Sequence, residues 1–93
     1  MKKILIYEHL TGGGLLNEDL SSDLMNEAKL MLSSILASCD RSYNYDYNYF
    51  LDYRLTEYRT DRSIITYENK DLYNLSLIKK YDYILPILPE IDS

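Results

Sequence analysis

The sequence predicts a small α/β domain built around a mostly parallel, four-stranded sheet, and two observations support this class. Short apolar runs typical of buried strands alternate with longer segments in which apolar residues recur at helical spacing. The apolar fraction of 46% and the charged fraction of 27% are those of a globular protein, and 93 residues suffice for one core. We therefore expect one domain over residues 1–93, with its elements in the order β-α-β-β-α-β and right-handed crossovers.

The first strand and the first helix are the clearest elements. The uninterrupted apolar run from Ile4 to Tyr7 predicts a strand that is buried on both faces, as in parallel sheets. From about Asn17 to Cys39 the period becomes helical, which predicts an amphipathic helix. Its inward stripe is expected at Leu20, Leu24, Ala28, Met31 and Ile35, widened by Met25, Leu32, Leu36 and Cys39, with Asn17, Ser21 or Ser22 as the N-cap.

The remaining elements follow from shorter patterns. Tyrosines alternate with polar residues from Tyr43 to Phe50, which predicts a second strand with one better-buried face. Further strands are predicted at Ser63–Tyr67 and Tyr83–Leu88. Between them, Asp71–Lys80 is expected to be a short helix with inward side chains at Leu72, Leu75 and Ile78.

Charge and composition exclude several classes of function. The net charge of −5, with lysines and arginines spread along the chain, argues against nucleic acid and against an anionic membrane surface. The single cysteine, Cys39, excludes an internal disulfide and favours a reducing compartment, so we expect a cytoplasmic protein. One histidine and one cysteine do not make a metal-ligand set. The expected partners are small molecules or proteins, including a second copy of the chain.

A candidate site is predicted at the carboxyl edge of the sheet. All three glycines lie together between the first strand and the first helix, and both prolines lie at the end of the last strand. If the strand order is the Rossmann-like 3-2-1-4, the first and fourth strands are neighbours where the order reverses, which is where such sheets bind ligands. The candidate residues facing this crevice are Glu8, His9, Thr11, Gly12, Gly13, Gly14, Pro89 and Glu90.

The roles of these residues stay open at the level of sequence. The glycine run could bind a phosphate, line a site for another ligand, or only permit a tight turn. It matches no phosphate-loop motif and is followed by acidic residues, which disfavours phosphate. His9 is expected either to fix the loop or to contact ligand. Glu8 and Glu90 could hold a cationic amine or be solvated, and no catalytic pair is apparent.

Four segments of the chain resemble a group of ATP-grasp proteins that includes the tyramine–glutamate ligase of methanofuran biosynthesis. They are the opening Ile4–Gly14, the helical segment Asp23–Leu32, the turn Leu51–Leu55 and the final Pro89-Glu90-Ile91-Asp92. The chain departs from the group's usual pattern at Leu88, where a small apolar residue is common, and at Ala28, where glycine is common.

The resemblance implies a pre-ATP-grasp domain, a small Rossmann-like module at the N-terminus of an ATP-dependent carboxylate–amine ligase. It implies ATP and Mg²⁺ as cofactors of the full-length protein, bound by later domains, while this chain supplies one wall of the substrate cleft and is not catalytic alone. The alternative is a stand-alone, non-enzymatic module that binds a small ligand or dimerises through the same crevice.

Overall fold

The computed structural model describes residues 1–20, 23–42 and 44–87, and within them four strands form one sheet. The strands are β1 (Lys2–Glu8), β2 (Tyr45–Asp52), β3 (Ser63–Thr66) and β4 (Tyr83–Ile87). Their order is β3-β2-β1-β4, and every neighbouring pair is parallel. The predicted class and order are therefore confirmed, with β1 beside β4 where the order reverses.

Strand β1 lies between β2 and β4 and is buried on both faces, as its apolar run predicts. Leu5 is 1% exposed and Ile6 is fully buried, although these neighbours point to opposite faces of the sheet. Ile6 packs in the core with Leu32 of the first helix, so Glu8, two residues further, also points to the helix side. Tyr7 points to the opposite face, away from that helix.

The first helix, α1 (Asp23–Asp40), is shorter than predicted and turned about its axis. Residues 17–20 form turns and bends instead of helix, so Asn17 is not the N-cap; Ser21 and Ser22 lie outside the described residues. The buried stripe is Met25, Ala28 and Leu32. Leu24 and Met31, expected at the centre of the stripe, are each 37% exposed, because the inward face lies one residue later in the chain.

Strand β2 extends further and is better buried than the tyrosine alternation predicts. Tyr45 is 41% exposed, whereas the four residues Tyr49–Asp52 are buried on both faces of the sheet. The single better-buried face was therefore wrong for the carboxyl half, because β2 is flanked there by β3 and by the residues that follow β1. Tyr43 lies outside the described residues. A 3-10 helix (Thr56–Tyr58) follows before β3.

The predicted second helix is instead two short turns, which we call the connector (residues 69–78). A 3-10 helix (Asn69–Tyr73) precedes α2 (Leu75–Ile78), and Asn74 separates them. The Asn74 side chain caps α2 by accepting a hydrogen bond from the Leu77 amide at 3.2 Å. This break changes the phase of the helix, so Leu75 is 66% exposed instead of pointing inward.

A contact between α1 and β2 makes the free energy of unfolding depend on pH in the alkaline range. The Tyr47 hydroxyl donates to Asp40 Oδ1 at 2.6 Å, and the Arg62 guanidinium lies over its ring. Burial and then this hydrogen bond raise the pKa of Tyr47 above its ordinary value of 10.0. The folded state thus keeps a proton that the unfolded state loses, so this contribution to stability is present below pH 10 and is lost as the pH rises above it.

We expect the free energy of unfolding to fall between about pH 9 and pH 11, and to fall less steeply in Tyr47→Phe, which cannot ionise. Urea unfolding at a series of pH values measures both slopes. Because burial also raises the pKa values of Tyr7 and Tyr81, some slope should remain in the variant. Equal slopes in the two proteins would contradict the role given to Tyr47.

No helix within the described ranges is both long enough and apolar enough to cross a membrane.

Candidate functional site

The loop after β1 folds back onto the ends of the strands. The Gly12 amide donates to the Glu8 carbonyl at 2.8 Å, and the Gly14 amide donates to the His9 carbonyl at 2.9 Å. The loop carbonyl of Thr11 accepts a hydrogen bond from the Asp52 amide at the end of β2, at 2.7 Å. The glycine loop (residues 9–14) is therefore a packed part of the carboxyl edge of the sheet.

The carboxylate of Glu8 is buried beneath this loop. Glu8 is 0% exposed, and its Oε1 accepts from both the Thr11 amide at 2.7 Å and the Thr11 hydroxyl at 2.8 Å. Its Oε2 is buried and accepts no hydrogen bond within the described residues. A buried carboxylate oxygen without a donor costs stability, so this atom has an unmet need for a hydrogen-bond donor or a positive charge.

Thr66, at the end of β3, explains why glycine is required at position 13. Gly13 has φ of +107°, which other residues rarely adopt. A Cβ atom at this position would also overlap with the side chain of Thr66. The Thr66 hydroxyl lies 3.0 Å from the Gly12 carbonyl and 3.1 Å from the Leu51 carbonyl. The loop is thus closely packed on a third strand.

His9 fixes the other side of the loop. Its Nδ1 lies 2.8 Å from the Tyr7 hydroxyl, and the two rings meet edge to face. The His9 amide donates to the Ile87 carbonyl at 3.2 Å, which ties the loop to β4. A Cβ atom on Gly14 would overlap with the His9 ring. Of the two roles considered for His9, these contacts favour fixing the loop.

An ion pair outside the predicted site residues holds the chain that follows the glycine loop. Arg54 Nε lies 3.0 Å from Asp52 Oδ1, and its Nη2 lies 2.7 Å from Asp52 Oδ2. The same guanidinium donates to the carbonyls of Leu15 and Glu18, at 2.6 and 2.5 Å. Asp52 is fully buried, and Arg54 joins it to the chain that leads into α1. In the sequence, this ion pair is indicated only by the turn Leu51–Leu55, one of the segments that resemble ATP-grasp proteins.

The site does not fit a phosphate group. The amides of Thr11, Gly12 and Gly14 donate to acceptors of the protein itself, so they are not directed at a bound anion. The Glu8 carboxylate beneath them would repel one. Nor do the described residues contain a group of three or more side chains that could hold a metal ion.

The structure brings together six of the eight predicted site residues. Glu8, His9, Thr11 and the three glycines form one end of the sheet, beside the end of β4. Pro89 and Glu90, predicted as the opposite wall of the crevice, lie outside the described residues. Within the described residues, the candidate site is therefore centred on Glu8, the buried acid of the group.

Comparison with protein-family models, with curated proteins and with solved structures finds no match. The topology itself gives the class: the chain is a small Rossmann-like α/β domain with an all-parallel sheet.

Proposed function

We propose that this chain is the substrate-side domain of an ATP-dependent carboxylate–amine ligase, and that it binds the amine at the carboxyl end of β1. The resemblance to ATP-grasp proteins supports the reaction class, and the strand order supports the place. The resemblance implies that the domain is not catalytic alone, because the ATP and magnesium sites of such ligases lie in later domains.

The observation that carries the proposal is the environment of Glu8. Its Oε1 is held by Thr11, whereas Oε2 is buried and without a partner in the described part of the chain. The buried acid of the neighbouring strand differs, because Asp52 is paired with Arg54. None of the ion pairs within the described ranges involves Glu8. A primary ammonium group provides both a charge and a donor for such an atom.

The roles of the residues follow from these contacts. Thr11 fixes the orientation of the Glu8 carboxylate by donating twice to one oxygen. The other oxygen is left to orient the amine, and the glycine loop above it excludes water. Because Glu8 is fully buried, the amine enters only when residues 9–14 move away from the strand ends. Ligand binding and loop motion are therefore coupled in this proposal.

A titration with small probes tests the proposal. We expect ethylamine to shift the backbone amide resonances of Thr11 and the three glycines in a saturable manner, and Mg-ATP to leave them unchanged. In Glu8→Gln, which keeps the size of the side chain but removes its charge, the ethylamine response should weaken about tenfold or more. The matched control is Glu18→Gln, since Glu18 is an exposed acid of the following turn; it should respond like the wild type.

Two results would refute the proposal. One is a micromolar dissociation constant for Mg-ATP, because the loop would then be a phosphate site after all. The other is the absence of any ethylamine response in the wild type. An equal decrease of the response in Glu8→Gln and Glu18→Gln would also refute the proposal, because it would show an effect of net charge and not of a site at Glu8.

The second candidate is the stand-alone module that binds a small ligand or dimerises. The exposed apolar residues of β4 favour it: Tyr83, Ile84 and Leu85 are 53%, 52% and 42% exposed. Exposed apolar edge strands tend to associate with other chains. The reading frame beyond Ser93 separates the two candidates, since ATP-grasp motifs there would favour the ligase and a stop codon would favour the module.

A further inference from the structure

The face of the sheet opposite α1 contains a hollow that no role described above uses. Its volume is about 230 Å³, and it lies between the sheet and the connector. Leu5, Tyr7, Phe50 and Ile84 form its floor, whereas Leu72, Tyr73 and Ile78 of the connector form its other wall. Glu8 points to the other face, so the hollow and the proposed amine site lie on opposite faces of the sheet, although Tyr7 of the hollow is hydrogen-bonded to His9 of the glycine loop.

The walls of the hollow are apolar and uncharged. Five of the seven lining residues are aliphatic or phenylalanine, and the only polar side-chain atoms among the seven are the hydroxyls of Tyr7 and Tyr73. The Tyr7 hydroxyl is already paired with His9 Nδ1 at 2.8 Å. A charged ligand would lose hydration here without gaining an opposite charge, so the lining favours neutral molecules.

The size of the hollow suits a small ring. An enclosed cavity of about 150 Å³ with similar walls can hold benzene, and this hollow is larger, although it is partly open to solvent. The hollow is also accessible, since Tyr73 beside it is 75% exposed. Its outer wall is made of one short 3-10 helix and a single α-helical turn.

We infer that this hollow is a binding site for a small, neutral, apolar ring compound. Such a ligand would pack between Leu5 and Phe50 on the sheet and Leu72 and Ile78 on the connector. It would also stabilise the connector against the sheet, by binding only the folded state.

The test uses benzene and indole as probes of the 93-residue chain. We expect both to raise the thermal midpoint in a saturable manner, and to give magnetisation transfer to the methyl groups of Leu5 and Ile84. Benzoate and benzylamine are charged analogues, and their affinity should be lower by a factor of about ten or more.

Variants of α2 provide the matched control. Ile78→Phe fills the hollow and should weaken benzene binding about tenfold, whereas Leu75→Phe makes a similar change on the exposed side of the same turn and should not. Glu8→Gln should leave benzene binding unchanged, so this inference can fail independently of the amine site. Absent magnetisation transfer in the wild type, or equal affinity in Ile78→Phe and Leu75→Phe, would overturn the inference. The wild-type measurement decides the matter even if Ile78→Phe does not fold.

Discussion

Replacement of Gly13 by valine is expected to destabilise the fold by about 3 kcal/mol or more. The positive φ of Gly13 costs an L-residue about 1–2 kcal/mol, and forcing extra atoms against a packed neighbour costs about 1–3 kcal/mol more. That neighbour is Thr66, which is fully buried and cannot easily move. Gly13→Ala should cost less, because it adds one atom and is not β-branched. Urea unfolding of the three proteins measures the series.

A double mutant separates backbone strain from steric overlap. Thr66→Ala removes the hydroxyl group, which is the nearest atom to the new Cβ, and the methyl group, but it keeps the Cβ of residue 66. The combined variant with Gly13→Ala should therefore cost less than the sum of the two single changes. Strictly additive costs would show that the hydroxyl and methyl groups of Thr66 are not the obstacle. A fully stable Gly13→Val would contradict the loop conformation itself.

The second large effect is expected at Arg54. Arg54→Met leaves the carboxylate of Asp52 buried without its cation and removes two donors to the loop carbonyls of Leu15 and Glu18. Breaking a fully buried pair costs about 3–5 kcal/mol; the side chain of Arg54 is 27% exposed, so we expect about 2–3 kcal/mol. Denaturant unfolding gives the value.

The comparison variant is Arg54→Lys, which keeps the charge but cannot make the bidentate contact with Asp52. We expect it to recover part of the lost stability and no more. Double replacement by Asp52→Asn and Arg54→Met should be less harmful than Arg54→Met alone, since no buried charge remains unpaired. If Arg54→Met and the wild type unfold at the same urea concentration, the ion pair between Arg54 and Asp52 contributes nothing to stability.

The sequence predicts the sheet well because the signal is local. The run Ile4–Tyr7 and the alternation in β2 can each be recognised within a few residues, and parallel order follows from strands that alternate with helices. The wrong predictions concern the lengths of the helices and which of their residues point inward. Asn74 interrupts the second helix and exposes Leu75, although periodicity alone places Leu75 inward. The cause in α2 is a local N-cap, which helical periodicity does not take into account.

The candidate site was predictable only in part. The placement of the glycines identifies the loop, and Glu8 and Thr11 are close in sequence. In contrast, Thr66 lies 54 residues from the Gly12 carbonyl it contacts, and Arg54 lies 39 residues from Leu15. Such pairs depend on the order and register of the strands, so they could not be found before the sheet was known.

These long separations also bear on how the chain folds. The glycine loop contacts the ends of β2 and β3, so it docks only after both strands have paired, and closing such long loops has an entropic cost that is met late. We therefore expect its contacts to be largely absent from the folding transition state. Substitutions at Gly13 or Arg54 then act mainly by speeding unfolding, and leave the rate of folding nearly unchanged.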